Sequence, residues 1–217
     1  MVSFEKFISD QNLLRNAMIR LKIHNLECHG VGPIDLTIGA SECVTLSGPS
    51  GAGKTLMLRA IADLEPHDGH VYLGSAKATE MKPHQWRKRV GMLPSESQWW
   101  HDTVGDHFPE ANTPWLEILG FSGKVMGWRI SRLSSGERQR LALLRLLCNQ
   151  PKVLLLDEPT ANLDPENTLK VESLLESYRL QQEASFLWIS HDPEQIHRMG
   201  TRHYILDKGK IVEQKRK

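Results

Sequence analysis

Residues Gly48-Pro49-Ser50-Gly51-Ala52-Gly53-Lys54-Thr55 form an uninterrupted G-x-x-x-x-G-K-[ST] run between the apolar stretch Cys43 to Leu46 and the helix-like Leu56 to Ala62. From average composition the bare pattern arises by accident in roughly one chain of this size in a hundred. Strand-loop-helix context turns it into a phosphate cradle. The glycines let backbone N–H groups face a polyphosphate, Lys54 brings a positive charge to the terminal phosphates, and Thr55 offers a hydroxyl to Mg²⁺. A Gly-rich turn with a solvated lysine is the bland alternative, and the rest of the chain weighs against it.

With 217 residues the chain suffices for one generous core, or for one core carrying a small appended subdomain. Lys plus Arg number 27 against 26 Asp plus Glu, so no bulk positive field argues for a nucleic acid partner. The closing Lys215-Arg216-Lys217 reads as a solvated tail. No stretch approaches the ~20 apolar residues of a membrane span. Glu5 and Asp10 stand where a secretory apolar segment would need to be. A cytoplasmic chain is expected. Cys28, Cys43 and Cys148 are too scattered for a disulfide framework or a zinc site and read as reduced thiols. Nine of the ten histidines read as ordinary surface or core residues, His191 being the exception.

Apolar residues at helical spacing in residues 1–18 predict a short amphipathic extension. Ile19 to Ile23 and Ile34 to Ile38 alternate apolar with polar, as half-buried strands of an antiparallel pair do. Asp68-Gly69 reads as a turn into a strand at His70 to Leu73. Val90 to Leu93, Val153 to Leu156 and Phe186 to Ile189 are apolar on consecutive residues, the pattern of parallel strands covered on both faces. Two helices are sharply delimited. Ser134 and Glu137 form a capping box ahead of Leu141, Leu144 and Leu147, and Asp164 with Pro165 opens a helix whose stripe is Val171, Leu174, Leu175 and Tyr178. Trp86 to Arg132 holds five of the six tryptophans. Two readings stand for them: filling the core of a small subdomain, or forming an exposed docking face.

Val153 to Leu156 delivers Asp157 and Glu158 at the strand edge where open α/β sheets bind ligands. Adjacent strand residues point opposite ways. Asp157 is thereby suited to support Mg²⁺ near Thr55, and Glu158 to face an attacking water as general base. Helix capping or solvated charge is the alternative for the pair.

From about Ile19 to Glu213 the chain resembles the nucleotide-binding subunit of an ABC transporter. Leu133-Ser134-Ser135-Gly136-Glu137-Arg138-Gln139-Arg140 resembles the family's LSGGQ signature, Leu163-Asp164 its D-loop, and Ser190-His191-Asp192 its switch histidine. The resemblance implies an α/β fold: a P-loop NTPase mixed-sheet core, an N-terminal antiparallel β subdomain and a shortened helical subdomain. It places one ATPase domain over residues 19–217, with a RecA-like core at 19–94 and 141–217 and the helical part at about 95–140. It implies ATP and Mg²⁺ as cofactors, hydrolysis to ADP and phosphate, and a head-to-tail dimer with a second copy. Ser134, Ser135, Gly136, Glu137 and Asp164 would then meet the nucleotide held by the partner's loop, while His191 would contact the γ-phosphate and help position the water. Ser134 with Glu137, and Asp164, make equal sense locally as helix caps, and capping is compatible with that role because a helix N-terminus is itself an anion site. A separate integral membrane permease is the implied partner, holding the chain at the cytoplasmic face of the membrane without insertion of its own.

Three departures from the family pattern stand out. Ser95 occupies the place of the glutamine that senses Mg²⁺, with Gln98 the nearest alternative. The aromatic that stacks on adenine is missing, and His29 is the only flat side chain in that region. Ser135 replaces the first signature glycine. Among branches, the compact length and the stretch Leu187 to Asp192 look most like the small ATPases of iron or metal export. The rival expectations are a soluble ABC-type ATPase acting on a macromolecule, or a regulatory nucleotide-binding module with feeble turnover.

Overall fold

A computed structural model of the chain describes residues 19–108 and 113–214. The expected amphipathic extension at 1–18 and the basic tail at 215–217 lie outside the described residues.

Two sheets organise the molecule. The first is antiparallel, with β1 (Ile19–Cys28), β2 (Val31–Gly39), β4 (Asp68–Leu73) and β5 (Ala76–Lys77) in the order β2-β1-β4-β5. The second runs β10-β9-β3-β8-β7-β6, built from β3 (Cys43–Ser47), β6 (Val90–Leu93), β7 (Val153–Asp157), β8 (Ser185–Ile189), β9 (Arg202–Asp207) and β10 (Lys210–Gln214). All its neighbours are parallel except β9 with β10. Six α-helices are described: α1 (Lys54–Ile61), α2 (Pro83–Arg89), α3 (Thr113–Ile118), α4 (Ser135–Cys148), α5 (Pro165–Gln182) and α6 (Pro193–Met199).

The consecutive apolar runs are explained by burial on both faces. On β7, Val153 and Leu155 join a core shared with the antiparallel sheet and α1, whereas Leu154 and Leu156 join a second core with α4 and α5. On β8, Leu187 and Ile189 enter the first core, and Phe186 and Trp188 the second. Successive side chains on a strand alternate faces, so a strand covered on both sides must be apolar throughout. Each such side chain contributes roughly 1.5–3 kcal/mol on burial.

Both caps form as expected. The Ser134 hydroxyl accepts from the Glu137 N–H at 3.2 Å while the Glu137 carboxylate accepts from the Ser134 N–H at 2.8 Å. Asp164 accepts from the Asn167 N–H at 2.9 Å, and its helix runs on to Gln182.

Two expectations change. Asp68-Gly69 is part of β4 and not a turn: Gly69 lies at φ +80° beside a register shift between β1 and β4, and a Cβ there would come within 2.1 Å of the Asn25 carbonyl. Trp86 belongs to the core between the sheets, not to the tryptophan-rich segment that follows it. It is fully buried on α2 and its indole N–H donates to the Ile61 carbonyl at 2.9 Å. Trp99, Trp115 and Trp128 pack on the second core, and Trp100 is 66% exposed, so core filling and surface display both occur among them. Cys28 and Cys43 are buried and Cys148 is half-buried, and none of the three is joined in a disulfide.

Candidate functional site

Strand order sets the site. β3, β8 and β7 are parallel neighbours, and their register brings Leu46, Ile189 and Asp157 level with one another. The residues that follow each strand therefore emerge at one edge: the loop from Gly48, the turn at Ser190 and His191, and the pair Asp157 and Glu158.

Two glycines of the loop are obligatory on the geometry. Gly48 sits at φ +144° with the Leu206 carbonyl 2.1 Å from where a Cβ would be, and Gly53 at φ +96° with a Val31 methyl at 2.2 Å. Any side chain at either position would collide and strain the backbone. Gly53 hands the chain directly into α1. That helix presents its N-terminal N–H groups toward the loop.

Lys54 is 7% exposed, and its ammonium donates to the Gly48 and Pro49 carbonyls at 2.9 and 3.0 Å. Thr55 Oγ1 donates to Asp157 Oδ2 at 2.8 Å. Asp157 is 3% exposed. Burial, reinforced by the neighbouring Glu158 charge, pushes its carboxyl above the ordinary range, against the pull of the Thr55 bond, the Lys54 charge and the Ser95 backbone N–H. Glu158 takes the left-handed conformation, φ +49°. A side chain held there carries a local strain of order 1–3 kcal/mol. The turn aims Glu158 Oε1 at His191 Nε2, 3.3 Å away. A cleft of about 430 Å³ is lined by Ser50, Gly51, Lys54, Thr55, Glu158 and His191, with Arg59 at its margin.

The expected residues do not all meet. His29 lies in the β1–β2 turn, 4.0 Å from Glu65, which also accepts from Arg59 at 2.8 Å. It does not line the cleft, whereas Arg59 does. Ser134, Ser135, Gly136, Glu137 and Asp164 are likewise absent from its walls. Gly136 packs on the segment before Asp164, with Leu163 only 3.0 Å from a Cβ position. Ser135 shares a separate cleft with Ser95, Gln98 and Asn162. Ser95 reaches Asp157 through its backbone, and the carbonyl of Gln98 accepts from Arg145 at 3.0 Å.

Other contacts were not foreseen in the sequence. Arg145 stacks its guanidinium over Trp99 and Trp100 at 4.4 and 4.7 Å. Gln139, 4% exposed, donates to the Pro94 carbonyl and accepts from the Ser97 hydroxyl, both at 3.1 Å. The helix that begins at the Ser134 cap thus holds the loop containing Ser95.

A glycine-shaped loop closing on a helix N-terminus, a lysine folded over it and a threonine bonded to a strand-end aspartate define a phosphate-loop nucleotide-binding protein. Within that class the chain belongs to the ABC transporter family, whose pattern it matches over residues 31–161.

It is 34% identical to the thiamine import ATP-binding protein ThiQ of Chelativorans sp. (strain BNC1), covering 82% of this chain and 78% of that one. Identity to the probable iron export ATP-binding protein FetA of Escherichia coli (strain K12) is 31%, over 75% and 78% of the two chains. The phosphate import ATP-binding protein PstB of Aeropyrum pernix stands at 31%, over 77% of each. Iron export is thus one branch among several similar ones.

Among solved structures, the fold is shared with cbiO1 from Clostridium perfringens, part of the ABC transporter complex cbiONQ, at TM-score 0.75 and 19% identity over 90% and 87% of the chains. It is shared also with a bacterial Atm1-family ABC exporter with ATP bound, at TM-score 0.78 and 20% identity, where this chain spans 38% of the other's length. The protein is an ATP-binding subunit of the ABC transporter type and an ATPase. Subunits of this kind work with membrane permeases, and no helix among the described residues is long and apolar enough to cross a membrane.

Proposed function

We propose that this chain hydrolyses ATP at the cleft above the loop Gly48 to Thr55, in a dimer with a second copy, to drive a separate membrane permease from the cytoplasmic side. One observation carries the reading: the Glu158 and His191 pair, 3.3 Å apart, opens on the same cleft as Lys54 and Thr55.

The chemistry follows from the donors. Lys54 exchanges its two carbonyl partners for phosphate oxygens, a stronger charge-assisted contact. Thr55 and Asp157 are hard oxygen donors 2.8 Å apart, the kind of pair that holds Mg²⁺ together with substrate phosphates. Ser95, whose backbone already faces Asp157, adds a contact through water. Held by Thr55 and Asp157, Mg²⁺ would supply positive charge beside the phosphate oxygens. Glu158 takes the proton of the attacking water, and His191 holds the γ-phosphate and the water in line. Opposite them, the second copy contributes Ser134, Ser135 and Gly136 at a helix N-terminus favouring an anion, with Glu137 holding the cap and Asp164 the adjoining turn. That helix end is exposed and lies away from the cleft of its own chain, as a group serving another copy must.

The expected kinetics separate binding from chemistry. Lys54→Ala loses nucleotide affinity. Glu158→Gln binds ATP and stops turning it over, because the amide keeps the shape and cannot accept the proton. Normal turnover by Glu158→Gln would remove the general base from this scheme.

A further inference from the structure

Beside the loop cleft a second one of about 570 Å³ shares Glu158 and His191 with it, and its lining includes Thr160, Ser190, Gln195 and Arg198, members of a polar cluster that the scheme above leaves unused. Gln195, on α6, is 3% exposed, and Glu172, on α5, is 5% exposed. The Gln195 amide nitrogen donates to Glu172 Oε1 and to the Thr160 hydroxyl, both at 2.8 Å. Its carbonyl oxygen accepts from the Ser190 hydroxyl at 2.8 Å. Only the N–H end of an amide can face a carboxylate, so Glu172 fixes which way the group points. Glu172 is in turn held by Arg198 through contacts of 2.9 and 3.1 Å. The amide is therefore satisfied on every side, which a buried polar group needs if it is not to cost stability.

The partners of Gln195 are placed with respect to the chemistry. Ser190 directly precedes His191, and its hydroxyl also accepts from the Asp192 N–H at 3.1 Å, so it brackets the histidine. Thr160 lies just beyond Glu158, in a turn closed by the Ala161 N–H on the Glu158 carbonyl at 3.2 Å. The Glu158 N–H itself donates to the Ile189 carbonyl at 3.2 Å. One carboxamide thus joins the turn after β7 to the turn after β8.

We propose that Gln195 is a positioning residue for hydrolysis: its buried carboxamide, oriented by Glu172, staples the Glu158 turn to the His191 turn and sets the spacing of that pair. The inference rests on the roles given to Glu158 and His191 above. Gln195 does not line the loop cleft. Its loss should therefore act on the chemical step and spare nucleotide binding.

The test is steady-state Mg-ATP hydrolysis by the full chain, with thermal melting alongside. Gln195→Leu is expected to lower kcat by about ten- to a hundredfold, the scale on which small misplacements act, with KM for ATP within about twofold. A second variant guards against a folding artefact. Ser190→Ala keeps the Gln195 amide and its contact with Glu172 but cuts the link to the His191 turn, and it lowers kcat likewise. Wild-type kcat in Gln195→Leu or in folded Ser190→Ala, or parallel loss of kcat and nucleotide affinity, would each overturn the proposal. Glu158→Gln run in the same series separates the two levels: if it hydrolyses normally, the general-base reading itself falls. If it is inactive while Gln195→Leu and Ser190→Ala are unaffected, only the staple falls.

Discussion

Ser134 has two jobs in this account, and substitution can pull them apart. As an N-cap its hydroxyl accepts from the Glu137 N–H at 3.2 Å. Ser134→Ala removes that bond at a cost of about 1 kcal/mol. For a chain of this size that lowers the melting midpoint by about 2–4 °C. Ser134→Asp keeps a cap acceptor and gains from the helix dipole, but alone it would set its carboxylate against that of Glu137, which the Ser134 hydroxyl touches at 2.9 Å. Both variants are therefore made in a Glu137→Gln background, where the capping box survives and Ser134→Asp stays within about 0.5 kcal/mol of the parent. In the proposed dimer, however, that carboxylate would face the γ-phosphate of the other copy's nucleotide. Two like charges about 4 Å apart at an effective dielectric of 20 repel by about 4 kcal/mol. A third of that already costs about tenfold in rate. The assay is Mg-ATP turnover beside thermal melts of the two variants. The expected activity order is Ser, then Ala, then Asp, although Asp is the more stable variant. A helix end that is only a cap gives the opposite order, Asp near wild type and Ala below it, and that result would refute the in-trans assignment.

Two further expectations follow from the proposed metal-binding edge. Asp157 carries a raised pKa, chiefly from burial, so the nucleotide-free fold loses stability as pH rises through the window between the ordinary carboxylate value and the raised one, where the native state holds the extra proton. Asp157→Asn should flatten that slope and raise the melting midpoint at neutral pH while abolishing Mg²⁺-dependent turnover, and an unchanged slope in the melts would show that another group sets it. Ser95→Gln should preserve or raise the Mg²⁺-dependent rate, because glutamine reaches where serine needs a bridging water. Gln98→Ala should change little, and the reverse pattern in the rates would move the metal-sensing role to Gln98.

The elements legible in the sequence were those encoded by local rules. The Gly48 to Thr55 loop, the Ser134 and Asp164 caps and the two-sided burial of β7 and β8 each need only residues close in sequence, and each formed as expected. What escaped notice depends on partners far along the chain. Gly69 looks like a turn until β1 supplies a strand for it to bulge against. Trp86 looks like part of the tryptophan-rich segment, but its hydrogen-bond partner is Ile61. Gln195 and Glu172 carry no signal in the sequence, because no periodicity reveals that α5 and α6 bury them against each other. Arg145 likewise sits in a helix with two other arginines, Arg138 and Arg140, and is distinguished by Trp99 and Trp100 packing against it and by its bond to the Gln98 carbonyl. Apolar patterning marks a core, whereas a buried polar pair is visible only when both halves are in place.

The central claim is an ATPase cleft formed by one copy's Gly48 to Thr55 loop and completed by another copy's Ser134 helix. Sedimentation or light scattering of Glu158→Gln with and without saturating Mg-ATP tests it most directly, since this variant holds nucleotide without consuming it. The account predicts a monomer without nucleotide and a dimer with Mg-ATP, reverting to monomer when Ser134→Arg is added. A variant that binds ATP fully and stays monomeric would contradict it.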